Sequence, residues 1–273
     1  MAKPVKDEIY GTRPSRLNAI FDFRIFRNLF FATCLHRINP NPASRYILLK
    51  ECKSEREFED NALLQIAPFF TAGLRLGNIF WEEDRIHIRS LKAATQKSFE
   101  NPDHLAKFLL QVLKCDGKEE WQPSTATIRE SARVSSLSKF LRLNMYGRVA
   151  STDIDFLIFH EADNRLTLLE EKLYTQGGGS IGHGQYLSFR EIVTDIVNPE
   201  MLKNFRFYLM FLPEQDTTTC YIYNFMQERK LAVRSPAFFD PHRKEQRILF
   251  GYNEMHKMTL DKFLGDWLLN KLT

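Results

Sequence analysis

Two apolar runs, separated by one short polar turn and each interrupted by acids, constrain this chain more than any other feature. They are Ser151–Phe159 (Ser-Thr-Asp-Ile-Asp-Phe-Leu-Ile-Phe) and Leu166–Tyr174 (Leu-Thr-Leu-Leu-Glu-Glu-Lys-Leu-Tyr), on either side of Glu161–Asn164. Apolar residues fall on both faces of each run, the pattern of central strands in a sheet covered on both sides. The turn between them allows antiparallel pairing. Side chains alternate along a strand, so Asp153 and Asp155 are expected on one face of the first, and Glu170 and Lys172 on one face of the second. Charged groups in such strands cost free energy unless they neutralise each other or bind an ion. Two carboxylates suit a hard cation such as Mg²⁺ or Mn²⁺. A neighbouring ammonium can orient or deprotonate a water and steady charge developing on a phosphate. The competing arrangement is a cross-strand ion pair at the sheet surface, worth little.

The flanking sequence predicts an α/β unit over residues 124–226. A helix is expected over 124–139, with Ile128, Ala132 and Leu137 on one side, and another after the glycine-rich stretch, with Tyr186, Phe189, Val193 and Ile196 at helical spacing. Two strand-like runs follow, Phe205–Leu212 and Thr219–Phe225, and the tail from Leu260 to Leu272 reads as a short amphipathic helix. Ahead of this unit, the periodicity predicts helices over 16–38, 57–70 and 103–113, a strand over 45–49 and a hairpin over 79–88. The polar stretch Asp116–Pro123 is the candidate boundary. Residues 1–120 are therefore expected to form a mostly helical N-terminal region for DNA or partner binding, and 121–273 the core with its C-terminal helix.

Composition excludes several classes. The 273 residues are 44% hydrophobic and 26% charged, which argues against wholesale disorder. The 23 phenylalanines supply ample bulk for a core. Cys34, Cys52, Cys115 and Cys220 lie far apart, with no Cys-x-x-Cys pair, so neither a zinc ribbon nor a disulfide scaffold is expected. No apolar run is long enough to span a membrane and no leader is visible at the N-terminus. Those features predict a soluble protein of the cytoplasm, or of the nucleus in a eukaryote. A net charge of +4 is compatible with nucleic acid without requiring it.

Three further stretches are candidates for ligand contact. Glycines 177, 178, 179, 182 and 184, with His183 among them, read as a loop able to approach a phosphate or to act as a flexible connector. No Gly-Lys-Ser/Thr ending makes it a P-loop. The segment 124–148 carries Arg129, Arg133, Lys139, Arg142 and Arg148 among many hydroxyls, donors suited to phosphate oxygens or to a solvated helix face. Glu130 on the same stretch could add a metal ligand. A second basic cluster spans Arg229–Lys257 and includes Arg243 and Lys244, a backbone-contacting flank or a charged surface.

Asp155 followed by Glu170-x-Lys172, on two strands after a helix, resembles the PD-(D/E)xK nuclease superfamily with its restriction-endonuclease-like fold. The resemblance covers about residues 124–226. Ile154-Asp155-Phe156-Leu157 ahead of Leu169-Glu170-Glu171-Lys172 is its closest part, and it departs from the pattern in having no Pro before the acid. Glu51-Cys52-Lys53 and Asp116-Gly117-Lys118 are also acid-x-Lys triplets, but neither follows an acidic strand through a short turn. The resemblance implies a mixed central sheet flanked by helices, with Asp155 and Glu170 holding Mg²⁺ or Mn²⁺ and Lys172 assisting the attacking water. Asp153 rivals Asp155 for the first role, and Gln185 matches a glutamine that some members place at the start of the next helix. The implied activity is metal-dependent hydrolysis of DNA by a restriction- or repair-type endonuclease, acting as a homodimer. A catalytically inactive DNA-binding or scaffold module of the same fold is the alternative. An enzyme acting on a small phosphorylated ligand at the glycine stretch is a third.

Overall fold

The computed structural model describes residues 23–34, 46–113, 136–145, 149–175, 178–213, 216, 218–241 and 245–268. The chain forms a mixed α/β protein in two compact units. One takes the described residues within Met1–Ile25, Asp155–Val193 and Leu202–Thr273, the other those within Phe26–Ile154 and Thr194–Met201. The boundary expected near residue 120 lies outside the described residues, and the units part between Ile154 and Asp155.

Strand β1 (Phe23–Phe26) opens the described chain. Strands β2 (Leu29–Cys34), β3 (Tyr46–Cys52), β4 (Leu74–Trp81), β5 (Ile86–Ser90), β6 (Thr95–Phe99) and β7 (Val149–Ile154) make a six-stranded sheet in the order β6-β5-β4-β3-β2-β7. Around it stand α1 (Glu55–Glu59), a 3₁₀ segment Ala62–Phe69, α2 (Pro102–Val112) and α3 (Ser136–Asn144). The described part of the N-terminal region is thus built on a sheet, against the expectation of a mostly helical one. Residues 23–26 and 29–34, expected in a helix, are strands. The reason is that every position of β2 is buried, so its continuous Leu-Phe-Phe-Ala-Thr-Cys run needs a two-sided cover that one helix face cannot give. Asn28, at φ 51°, breaks the chain between β1 and β2. The helix at 102–112 and the hairpin of β4 and β5 stand as expected, the helix capped by the Asn101 side chain on Asp103 N at 2.7 Å. Leu105, Leu109, Leu137 and Phe140 pack with Phe30, Ile47 and Ile79 in the core of this unit.

The other unit holds a nine-stranded sheet. Its strands are β1, β8 (Phe156–His160), β9 (Arg165–Thr175), β10 (Gly178–Gly182), β11 (Phe205–Pro213), β12 (Thr219–Asn224), β13 (Phe238–Asp240), β14 (Glu245–Phe250) and β15 (His256–Thr259). The order is β13-β14-β10-β9-β11-β12-β15, with β8 joining β1 to β9. The turn Glu161–Asn164 closes the β8–β9 hairpin, with Phe156 opposite Leu169 and His160 opposite Arg165. Asn164 takes φ 46°, a left-handed conformation that asparagine tolerates. Helix α4 (His183–Glu191) leads over to β11, which runs parallel to β9 from Leu166 to Tyr174.

Register assigns the two faces of this sheet. Leu169, Tyr208, Met210, Cys220 and Ile222 line one face with Leu260 of α5 (Leu260–Lys262) and Phe263 of the π segment Phe263–Leu268. On the other face, Phe189 of α4 meets Phe207 edge-on at 5.0 Å and Tyr186 packs against Phe225. Of the tail from Leu260 to Leu272 expected to be a helix, the described part is helical as far as Leu268. No helix among the described residues is long and apolar enough to cross a membrane.

The glycine run is the main departure here. From Gly178 to Gly182 it is strand β10, buried throughout, rather than a loop. A side chain at Gly179 would overlap the Phe211 ring, and one at Gly178, with φ 142°, would overlap the Phe250 carbonyl. Gly178 and Gly179 let these neighbours close in where a side chain would not fit. Gly179→Ala should accordingly destabilise the protein by about 1–3 kcal/mol, as overpacking does. Urea unfolding of the variant measures it, and an unchanged midpoint would remove the packing account of this run.

Candidate active site

Strand β9 has an unusual edge. One of its edges is taken by β11 along its length, so β8 and β10 must share the other. Strand β8 pairs there as far as Leu169, and β10 begins only at Tyr174. On this edge residues 170–173 lie at the fork between the two ladders, while β11 pairs with them on the other edge.

Asp155 sits in that fork. It is the bend between β7 and β8, one step beyond the Phe156–Leu169 pair and thus alongside Glu170. The two acids are tied reciprocally through the backbone. Asp155 N–H donates to Glu170 Oε2 at 3.2 Å, and Glu171 N–H donates to Asp155 Oδ2 at 2.9 Å. On its other oxygen, Glu170 Oε1 accepts from Lys172 Nζ and from Gln185 Nε2, the latter at 3.1 Å. Gln185 is the third residue of α4, so the helix start delivers its amide to the strand. The Glu170 side chain is 1% exposed and that of Lys172 22%. A carboxylate is therefore held inside the protein with its ammonium partner reaching toward solvent.

The structure brings Asp155, Glu170, Lys172 and Gln185 together within one unit. Asp153 does not share their strand. The chain breaks at Asp155, so the alternation that would set the two aspartates on one face stops there. Asp153 is an exposed residue of β7, paired with Phe30 in the six-stranded sheet. Glu130, Arg129, Arg133, Arg243 and Lys244 lie outside the described residues. His183 is the first residue of α4, half-buried.

Asp155 and Glu170 form a donor set of hard oxygens, the kind Mg²⁺ or Mn²⁺ takes, and two carboxylates leave room in an octahedral shell for water and a phosphate oxygen. Among the described residues no cluster of three or more His, Cys, Asp and Glu is present. The Asp155 and Glu170 carboxylates fit such a group as a pair of hard oxygen donors. Lys172 lies on the same carboxylate, where it can hold or transfer a proton at a water beside the acids.

A second buried acid on the same face of the sheet escaped sequence reasoning. Glu228 is fully buried in the 3₁₀ turn Phe225–Arg229. Tyr223 and Arg234 donate to its Oε1, the latter at 2.8 Å, and Tyr186 donates to Oε2 at 2.7 Å. Arg190 donates to its backbone carbonyl at 2.6 Å. Burial first, and then Glu228, raises the phenol pKa values of Tyr186 and Tyr223, so both stay neutral donors. Arg234 continues to Glu254 at 2.6 Å. These residues are scattered from 186 to 254 with no shared spacing, and nothing in the sequence groups them.

Comparison with family models, curated proteins and solved structures finds no match to this chain.

The geometry at Glu170 carries an asymmetric stability prediction. Removing Lys172 takes the ammonium away from a buried carboxylate that keeps the Gln185 amide and the Asp155 N–H. Removing the charge of Glu170 leaves an ammonium that can turn to water. Lys172→Met should cost about 2–3 kcal/mol, and Glu170→Gln clearly less. Guanidinium unfolding of both variants measures the difference, and equal losses would mean that Glu170 is not held as a buried anion.

Proposed function

We propose that this chain is a metal-dependent DNA endonuclease of the restriction or repair type, with a PD-(D/E)xK-like core in the unit that carries Asp155 and Glu170. The observation that supports it is the convergence of Asp155, Glu170 and Lys172 at the fork on β9, with both acids fixed by backbone N–H groups. Asp155 and Glu170 would hold Mg²⁺ or Mn²⁺. Such an ion, when bound, supplies Lewis acidity toward a phosphodiester and acidifies a water.

The chain's own residues have distinct work in this reading. The Glu171 N–H aims the Asp155 carboxylate, and Gln185 fixes the rotamer of Glu170 so that its second oxygen stays turned to Asp155. Lys172 takes a proton from, or orients, the attacking water and offsets charge gathering on the phosphate oxygens. Because the acids and the amine start pre-positioned, little reorganisation remains for the chemical step. A homodimer would let two such sites cut the two strands of a duplex.

A second reading is a DNA-binding or scaffold module that keeps this core without catalysis. It is favoured by the saturation of Glu170 Oε1, which already accepts from both Lys172 and Gln185.

Plasmid nicking with Mg²⁺ separates the two. Lys172→Ala should slow nicking by about 10²–10⁴-fold, the usual scale for a lost acid–base group, and Asp155→Ala, which removes a metal-holding carboxylate, should slow it at least as much. Full activity in both purified variants would end the nuclease reading. A wild-type protein that binds DNA but neither nicks it nor takes up Mn²⁺ would establish the second.

A further inference from the structure

The face of the sheet that carries Glu170 and Lys172 continues into a row of aromatic and basic side chains that the hydrolytic site does not use. Glu170, Lys172 and Tyr174 alternate on β9 and so share this face. Register carries the row across the sheet. Lys172 stands opposite Phe211 of β11, Phe211 opposite Tyr221 of β12, and Tyr221 opposite Lys257 of β15. At the usual strand spacing, Lys172 and Lys257 lie about 14 Å apart, with aromatic rings between them.

Three tyrosines pack along this row. Tyr174 and Tyr221 are stacked, with ring centroids 4.2 Å apart and planes at 14°. Tyr252 meets Tyr221 edge-on at 5.6 Å. The Lys257 ammonium lies 5.8 Å from the Tyr221 ring centroid. Tyr221 is buried by its neighbours, but Tyr252 is 56% exposed and Lys257 is exposed as well.

Tyr252 is also held rigidly. It follows Gly251, whose N–H donates to Glu254 Oε2 at 2.7 Å, and Glu254 N–H returns a bond to the Gly251 carbonyl at 3.0 Å. Arg234 clamps Glu254 and joins it to the buried Glu228. The Glu228 network thus ends at the turn presenting an exposed aromatic ring. An exposed tyrosine fixed in place loses little conformational entropy when a flat ligand stacks on it.

We propose that Tyr252, backed by Tyr221 and Tyr174 and flanked by Lys257, binds unpaired nucleotides of DNA beside the Glu170–Lys172 site, so that the substrate is DNA with a single-stranded segment. The proposal rests on the nuclease reading for its substrate. Every base has a π-face for a ring to stack on, and Lys257 supplies positive charge beside the rings for the backbone. A fully paired duplex hides its base faces and could use only the charges.

Fluorescence anisotropy in EDTA tests this without cleavage. The probes are a labelled oligo-dT and a blunt duplex of equal length, titrated with wild type, Tyr252→Leu, Tyr252→Phe and Lys257→Ala. Wild type should bind the oligo-dT more tightly than the duplex. Tyr252→Leu, which keeps apolar contact with Tyr221 but cannot stack, should weaken oligo-dT binding by about tenfold, and Tyr252→Phe should retain it. Lys257→Ala should flatten the salt dependence by about one counterion. Equal binding of oligo-dT by wild type and Tyr252→Leu, or equal losses on both probes, would overturn the inference. The nuclease reading is decided by Mg²⁺-dependent nicking in Lys172→Ala, so either idea can fail while the other stands.

Discussion

The arrangement turns on a fork in a sheet. Strand β9 has two partners on one edge, β8 and β10, and neither covers the stretch from Glu170 to Leu173. Unpaired backbone inside a sheet is costly, so something must stand in for the missing strand. Asp155 does so with both its main chain and its side chain, giving its N–H to Glu170 and taking the Glu171 N–H on its carboxylate. The same substitution that repairs the sheet places two acids side by side. Strand β10 helps keep the fork in shape, because Gly178 and Gly179 let Phe250 and Phe211 close beneath it where any side chain would hold them off.

The hairpin was legible in the sequence because it is local. Four turn residues, three of them polar, between two apolar runs specify antiparallel pairing, and the two-residue period then places Glu170 and Lys172 on one face. Gln185 was legible only by resemblance, since its approach to Glu170 depends on how α4 docks. Two readings failed for the same reason. The run from Leu29 to Cys34 shows apolar residues at helical spacing, but it shows them at every other spacing too, and only sheet partners on both sides reveal which period counts. The glycine run looked like a loop because glycine marks flexibility as readily as close packing. Which meaning applies depends on Phe211 and Phe250, tens of residues away. Asp153 and Asp155 were assigned one face on the assumption of an unbroken strand, and the bend at Asp155 ends that alternation.

Two buried carboxylates on one face of one sheet invite comparison, and their surroundings separate them. Glu228 is enclosed by two phenols and a guanidinium, with a second guanidinium on its own carbonyl. Three donors hold its carboxylate within the turn, and its side chain has no exposed surface. Nothing could reach it without dismantling the core. Glu170 is as deeply buried, yet its cationic partner is a lysine that extends to the surface, and its second oxygen is directed at another acid's backbone. Lysine is a compact, mobile cation whose proton can be lost in a low-dielectric site, whereas arginine keeps its charge. An acid paired with lysine at a gap in the sheet can exchange partners, and an acid locked between arginine and tyrosines cannot. That difference is why the proposed chemistry is placed at Glu170 and not at Glu228. It also explains why the supporting network extends through Arg234 and Glu254 to the rim of the same face, where it holds Tyr252 in place.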